Sequence, residues 1–436
     1  MTFSVHGQNV TVVGAARSGI AAALLLAERG ARVTLTDMRS EIEARAEDEL
    51  RASGVDLELG AERRDTFVSA DLIVLSPGVP ITHAAVAAAQ KAGVPVIGEI
   101  ELASRWLSGR IVAITGTKGK STTTTLTGRM FDAGGLKALV GGNIGTPLSS
   151  QVAASTPETF HIVEVSSFQL ETTDTFHPWI AVLLNLSSDH LDRHGSMEEY
   201  GAAKARIFAN QTPDDWAVIN ADDPQTLALA RAGRARKVLF SIDAPLVPLS
   251  SIRLIGRHLI VDVMAAAAVA RIAGVSQDAM VRAVEAFTGL EHALEPVAVI
   301  NGVRFVNDSK ATNIEAAKQA IEAFDRGVVA IIGGRFKSGD FNLLREPLRA
   351  RGAAVVAIGE ATPLIRDALD GVVPVHAAET LPIAVRRAFD LAPKDGTVLL
   401  APACASFDMF RDYAERGQTF KREVMKLVEE NTTSER

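Results

Sequence analysis

The run Ile111–Thr115 followed by Gly116-Thr117-Lys118-Gly119-Lys120-Ser121 restricts the fold of this chain more than any other stretch. A β-rich run ends in two glycines, two lysines and two hydroxyl residues, and then continues as a helix. That is a strand–loop–helix unit of a parallel α/β sheet. The backbone N–H groups of such a loop, with the helix N-terminus, form a seat for phosphate oxygens. Lys120 is placed to reach the β- and γ-phosphates of a nucleotide, and Ser121 a magnesium ion. The eight-residue pattern asks for glycine five positions before Gly119, where Ile114 stands, so this loop is a shorter variant. A glycine-rich turn with a surface lysine is the bland alternative. It is disfavoured because strand, loop, Gly-Lys-Ser and helix all agree.

A chain of 436 residues exceeds what one hydrophobic core supports, so two or three domains are expected. Aromatics are only 5%, so the cores are built from Ala, Val, Leu and Ile, as suits parallel sheets buried on both faces. The net charge of −7 and the lack of a basic run argue against nucleic acid as a partner. A single cysteine, Cys404, excludes an internal disulfide, fits a reducing compartment and reads as a small core residue. Residues Met1–Gln8 carry no secretion signal, and the apolar run Ala265–Ala270 is too short to span a bilayer. A cytoplasmic protein without membrane insertion is the expectation.

Strands expected at Val10–Val13, Val33–Thr36 and Leu72–Leu75 alternate with helices, which implies a first parallel unit over residues 1–98. A central unit, 99–290, holds the phosphate loop, further strands at Ile162–Val165, Ala181–Leu184 and Trp216–Ile219, and Ala-rich helices near Val263–Ala273 and Asp278–Phe287. A third, 291–436, opens with Val297–Ile300, the turn Asn301-Gly302 and Val303–Val306, a strong hairpin signal. The fold class is therefore α/β in three domains. An N-terminal Rossmann-like domain precedes a central P-loop-type ATPase domain, and a C-terminal Rossmann-like domain follows.

Other polar groups stand at strand ends, where open α/β sheets bind ligands. Gly14-Ala15-Ala16-Arg17-Ser18-Gly19 resembles a dinucleotide turn with Ala16 in place of the middle glycine, and Asp37 closes the next strand. Both a nucleotide held differently from NAD and a turn that binds nothing remain open on this pattern. Glu164 ends one central strand and the run Asn185–Asp192 follows the next, so Glu164 and His190 are placed to reach a metal held by the phosphate loop. Asn307–Asn313 is a cap or a site, and Lys337, Ser406 and Phe407 follow strands of the third unit.

Taken together, Thr115–Thr122, Glu164-Val165-Ser166-Ser167 and Asp189-His190-Leu191-Asp192 resemble the Mur ligase family of peptidoglycan synthesis, which builds the cell wall. Gly141–Gly145, Asn307–Asn313 and Pro402–Ser406 are similar to its D-glutamate-adding members, and the resemblance runs end to end. It implies ATP and Mg2+ as cofactors, UDP-N-acetylmuramoyl-L-alanine and D-glutamate as substrates, an acyl-phosphate intermediate and a monomer. It further implies ATP contacts from Gly116, Thr117, Lys118, Gly119, Lys120, Ser121, Thr122, Asp308 and Lys310. Metal contacts are implied for Ser121, Glu164, His190 and a carbamylated Lys204, with Lys120, Glu164, His190 and Lys204 as the catalytic set. The UDP substrate would touch Arg17, Ser18, Asp37, Arg39, Ser76, Pro77, Gly78, Asn143 and His190. D-Glutamate would touch Thr312, Lys337, Ser406, Phe407 and Tyr413.

The chain departs from the family pattern at Lys118, Leu259, Asp262 and Ala293, where asparagine, asparagine, asparagine and arginine are usual. The last three fall where the resemblance implies adenosine contacts. A UDP-sugar-binding protein with impaired ATP use, or a sister ligase for L-glutamate or a folate, therefore stands beside the active D-glutamate ligase.

Overall fold

The structure is a computed structural model that describes residues 3–61, 63–254 and 256–434. Two compact units result: one of residues 1–252 with 260–285, the other of 253–259 with 286–436.

The first unit contains two sheets. Strands β1 (Asn9–Val13), β2 (Arg32–Asp37), β3 (Asp56–Leu59), β4 (Leu72–Leu75) and β5 (Val96–Gly98) form a parallel sheet in the order β3-β2-β1-β4-β5. The chain leaves β1 to one side and later returns to the other, so a topological switch point lies between β1 and β4. Strands β6 (Arg110–Thr115), β7 (Ala138–Gly142), β8 (Phe160–Glu164), β9 (Ile180–Leu183), β10 (Trp216–Asn220) and β11 (Arg236–Phe240) form the second, in the order β11-β10-β9-β6-β8-β7. Here β6 is central, between β8 and β9, and its exit is again a switch point.

The second unit holds β12 (Glu295–Ile300), β13 (Val303–Asn307), β14 (Val328–Gly333), β15 (Gly352–Ile358), β16 (Val375–Ala378) and β17 (Thr397–Leu400). Their order is β12-β13-β17-β14-β15-β16. Only β12 is antiparallel, paired with β13 through the expected hairpin. Asn301 and Gly302 both sit at positive φ, 51° and 82°, as a tight turn of that hand requires.

Sequence explains why these runs are strands. Leu72–Leu75, Ile180–Leu183 and Val328–Gly333 are apolar throughout and buried throughout, the signature of strands covered on both faces. Strands β3, β5, β7, β11 and β16 escape the sequence reading. Asp56–Leu59 is only four residues long and half acidic, Ala138–Gly142 ends in glycines and Arg236–Phe240 opens with two cations, so composition and length hide them. The run Pro95–Gly98, at the end of the first expected unit, contains β5. Among the described residues no helix is long and apolar enough to cross a membrane.

Candidate active site

The phosphate loop leaves β6 and enters the helix Lys120–Ala133, with Gly119 in the left-handed region at φ 81°. Asn185, just past β9, holds its backbone. The Asn185 Oδ1 accepts from Thr117 N and Lys118 N at 3.1 and 2.9 Å, and its Nδ2 donates to Lys118 O. Asn185 carries no role in the sequence pattern alone. Its signal was its place one strand over from the loop. Thr117 Oγ1 donates to Ser187 O, and Tyr200 OH donates to Thr117 Oγ1 at 3.3 Å.

Two lysines converge on one carbonyl. Lys120 Nζ donates to Gly116 O and Thr117 O at 3.1 and 3.0 Å, and Lys204 Nζ donates to Gly116 O at 2.8 Å. Lys204 is only 1% exposed and lies 4.5 Å from the Tyr200 ring. Burial, and then the neighbouring Lys120 charge, bring its ammonium down to about 7. Ser121 and Thr122 form the first helical turn.

Glu164 ends β8, one register step from Thr115, and is buried. Its Oε1 accepts from Asn143 Nδ2 at 2.8 Å, while its Oε2 is buried with no hydrogen-bond partner. An orphaned carboxylate oxygen beside a phosphate seat suits a hard, oxygen-seeking cation. Among the described residues no group of three or more His, Cys, Asp or Glu side chains can hold a metal. Phosphate oxygens and water would have to complete the shell, as magnesium prefers. His190 sits at φ 52° and caps the short helix Leu191–His194. Its ring packs edge-on against Phe168, over which Arg193 stacks at 4.0 Å. Asp189 lies 3.9 Å from Lys118 Nζ and 3.8 Å from His190 Nε2. The side chain of Asp192 lies outside the described residues.

Asp262, on the helix Arg257–Ile272, turns into the phosphate loop. A Cβ on Gly119 would lie 2.0 Å from its Oδ1, so only glycine permits the approach. Its Oδ2 is buried and unpartnered, and burial pushes the carboxyl up to about 8 against the pull of Lys120. Leu259, on the same helix, packs in the core of the second unit. Ala293 lies between two left-handed residues, His292 (φ 65°) and Leu294 (φ 45°).

At the first sheet's switch point, Gly14 and Ser76 touch: Ser76 Oγ donates to Gly14 O at 2.7 Å. A Cβ on Gly19 would fall 1.8 Å from Gly14 O, so this turn needs its glycine. Asp37 Oδ2 accepts from Ala15 N at 2.7 Å, and both its oxygens accept from Arg39. The Arg39 side chain holds the Asp37 carboxyl at about 2. Arg17 reaches Gly145 O at 3.2 Å, so the turn and the Gly141–Gly145 loop meet. Arg193 donates to Pro77 O, tying the Ser76-Pro77-Gly78 loop to the His190 segment. The helix Arg17–Glu28, which carries Ser18, begins without a side-chain cap, leaving N–H groups for an anion.

The second unit gathers its loops at one sheet edge. Ala403 N donates to Ala311 O, Arg335 N to Ala405 O, and Glu360 N to Asp408 Oδ2. Thr312, Lys337, Ser406 and Phe407 therefore stand on neighbouring loops. Ser406 is buried, Lys337 exposed, and Phe407 and Tyr413 are 60% and 41% exposed. Asp308 accepts from Leu294 N, and burial pushes its carboxyl up to about 7. Lys310 is exposed, and its N–H donates to His292 O. Asn313 is the cap of Ile314–Glu322, accepting from Ala316 N, so the Asn307–Asn313 run is a cap at its end. Cys404 is buried, with its thiol pushed up to about 12 by burial, far from a nucleophile's range.

The sequence matches three family models in order: a Mur ligase MurD-like N-terminal domain over residues 8–98, a Mur ligase middle domain over 114–249, and a Mur ligase glutamate ligase domain over 294–404. It is 46% identical over 447 residues to a UDP-N-acetylmuramoylalanine--D-glutamate ligase of Acidobacterium capsulatum, covering 97% of each chain. Proteins of the same description from Koribacter versatilis and Myxococcus xanthus are 42% and 43% identical, covering 98% of this chain and 99% and 100% of theirs. Among solved structures, a pseudomurein peptide ligase type C from Methanothermus fervidus matches with a TM-score of 0.57 at 17% identity, covering 97% of this chain and all of its own. The UDP-N-acetylmuramate-alanine ligase from Thermotoga maritima matches with the same score and identity, covering 96% and 99%. At that identity the two structures share the fold.

Proposed function

The chain belongs to the Mur ligase family, and from that premise we propose that it joins D-glutamate to UDP-N-acetylmuramoyl-L-alanine in cytoplasmic peptidoglycan precursor synthesis. The enzyme is an ATP-dependent, amide-bond-forming ligase. The observation that carries the reading is the pair Lys120 and Lys204 on Gly116 O beside the orphaned Glu164 oxygen.

The substrate carboxylate attacks the γ-phosphoryl of ATP, giving an acyl phosphate and ADP. The amine of D-glutamate then attacks the acyl carbon, and inorganic phosphate leaves as the amide forms. Catalysis of such transfers is positioning and charge stabilisation. Gly116, Thr117, Lys118, Gly119 and Thr122 cradle the phosphates, and Lys120 exchanges its two carbonyl acceptors for the transferring phosphoryl. Ser121, Glu164, His190 and Lys204 would hold Mg2+, which would supply further neutralisation of that charge. Lys204 as an ammonium repels a cation, whereas its carbamate offers oxygens. An amine near pH 7 is neutral often enough to add to CO2, losing a proton as the N–C bond forms.

Arg17, Ser18, Asp37, Arg39 and the Ser76-Pro77-Gly78 loop hold the uridine diphosphate, with Asn143 and His190 nearer the sugar. The bond from Arg17 to Gly145 supports one continuous site. Asp308 and Lys310 complete nucleotide binding. Thr312, Lys337, Ser406, Phe407 and Tyr413 take D-glutamate, Lys337 pairing with a carboxylate. The proposal includes domain boundaries at 98/99 and 290/291, and a monomer.

The buried carboxyl of Asp262 against Gly119 favours a second reading, a UDP-sugar-binding protein with weakened ATP use. One assay separates the readings. Purified protein with ATP, Mg2+ and UDP-N-acetylmuramoyl-L-alanine should release phosphate with D-glutamate and not with L-glutamate. Release with L-glutamate alone would establish the sister ligase. No release with either would overturn the ligase reading.

A further inference from the structure

Among the described residues the largest fully buried side chain is a cation, Arg416, 1% exposed on the helix Tyr413–Ser434. Its guanidinium spans two loops. Nε donates to Ser309 Oγ at 3.0 Å and Nη2 to Ser309 O at 2.9 Å, while Nη1 donates to Cys404 O at 3.2 Å. Ser309 Oγ in turn donates to Tyr413 O at 2.7 Å. Among the described residues no carboxylate forms an ion pair with it. Burial lowers its pKa to about 10, so it remains cationic at neutral pH.

The Cys404 carbonyl follows a strained residue. Ala403, which is not glycine, has φ 59°, and its N–H donates to Ala311 O at 2.9 Å. Strain of this kind persists only where the surroundings over-determine it. Arg416 supplies that determination, because a planar fork fixes two carbonyls at once where an ammonium acts as a point charge. Arg416, Asp408 and Lys337 all act electrostatically on Cys404, so two cations and a carboxylate surround the loop that leads to Ser406.

We propose that Arg416 is a positioning residue for the acceptor: its fork locks the turn at Ala403 against the Ser309–Thr312 loop. The assignment rests on the acceptor pocket proposed above.

The test is initial-rate kinetics on each substrate in turn. Arg416→Ala should raise KM for D-glutamate at least tenfold, with KM for ATP and for the UDP substrate within about twofold of wild type. Millimolar guanidinium chloride should restore much of the lost acceptor affinity, because it refills the same cavity with the same fork. Arg416→Lys, which keeps charge without the fork, should fall between. Ser309→Ala removes one contact only and should raise the same KM by about threefold, which keeps the idea testable if Arg416→Ala does not fold. Three KM values rising together, or a kcat loss with acceptor KM unchanged in Ser309→Ala, would overturn the assignment. A wild-type enzyme with no D-glutamate-dependent phosphate release overturns the ligase reading itself. An active wild type with an unchanged acceptor KM in Arg416→Ala overturns only the role of Arg416.

Discussion

The C-terminal edges of the second and third sheets both gather polar groups at strand ends, yet they place their lysines differently. Around the phosphate loop, Lys204, Glu164 and Asp262 are buried, and Glu164 and Asp262 each keep an oxygen without a partner. At the third sheet's edge, Lys310 and Lys337 stand in solvent, Asp408 keeps one buried oxygen without a partner, and the buried cation, Arg416, donates to the Ser309 hydroxyl and to two backbone carbonyls. A buried polar atom without a partner is costly. It persists where a ligand repays the cost, and a phosphoryl group with its cation does so. Solvent-exposed lysines cost little and recognise a carboxylate through water-screened attraction, which suits a small acceptor that must enter and leave. On the proposed reading, the first of these edges, at the phosphate loop, is arranged for bond making, and the third sheet's edge for recognition.

The largest effect should come from the first edge. Lys120→Met should lower kcat for phosphate release by about 10³-fold, the scale of losing a preorganised charge at the transferring group, and leave KM for D-glutamate within about twofold. A matching rise in acceptor KM would erase the contrast between the edges. Glu164→Gln keeps an acceptor for Asn143 and removes the charge. It should lower kcat by about 10²-fold and raise the magnesium concentration needed for half-maximal rate. Titrating Mg2+ against rate in wild type and variant reads this directly, and an unchanged requirement would remove Glu164 from the metal site.

At the third edge the expected change is in KM. A hydrogen bond to a charged partner contributes about 1.5–3 kcal/mol, so Lys337→Ala should raise KM for D-glutamate by about 10–100-fold. Its kcat at saturating acceptor should stay within a few-fold of wild type. A kcat collapse in this variant would place Lys337 in the chemistry and blur the comparison.

The two edges also differed in how much of them could be read in advance. The phosphate loop is contiguous: strand, glycines, Lys120 and helix lie within a dozen residues, so local physics announces it. Its neighbours Asn185 and Asp262 were not announced, because their roles arise from β6 lying beside β9 and from one helix face meeting Gly119. The third edge is assembled from loops after β13, β14 and β17, joined by hydrogen bonds such as Ala403 N to Ala311 O. No short segment carries it: Lys337, Ser406 and Phe407 stand out in the sequence only as strand-end residues, and the resemblance adds Tyr413 and gives them a role. Arg416 was missed for the same reason: a helix arginine reads as solvated until the loops that bury it are in place. The apolar strands and the Asn301-Gly302 hairpin were legible because burial on both faces and a tight turn each impose a local composition.

Asp262 gives the smallest and sharpest test, because it asks whether the first edge bears a cost that the chemistry does not require. Its carboxyl titrates near 8 in the folded protein, raised mainly by burial. In the unfolded chain it titrates at about 4. Between those values the folded state keeps a proton that the unfolded state has released. Stability must therefore fall as pH rises through that window, and level off above about 8. The slope for one such group is about 1 kcal/mol per pH unit. Asp262→Asn has no proton to lose and should remove that slope, so the variant should gain most over wild type at pH 7–8 and least near pH 5. Thermal unfolding of the unit that holds the phosphate loop, followed across that range, measures it. KM for ATP should fall in the same variant above pH 7, since a neutral amide beside Gly119 does not repel a triphosphate. Parallel pH–stability curves for wild type and Asp262→Asn would mean that water or Lys120 relieves this carboxyl, and that the orphaned oxygen of Glu164 alone marks the edge as waiting for its ligand.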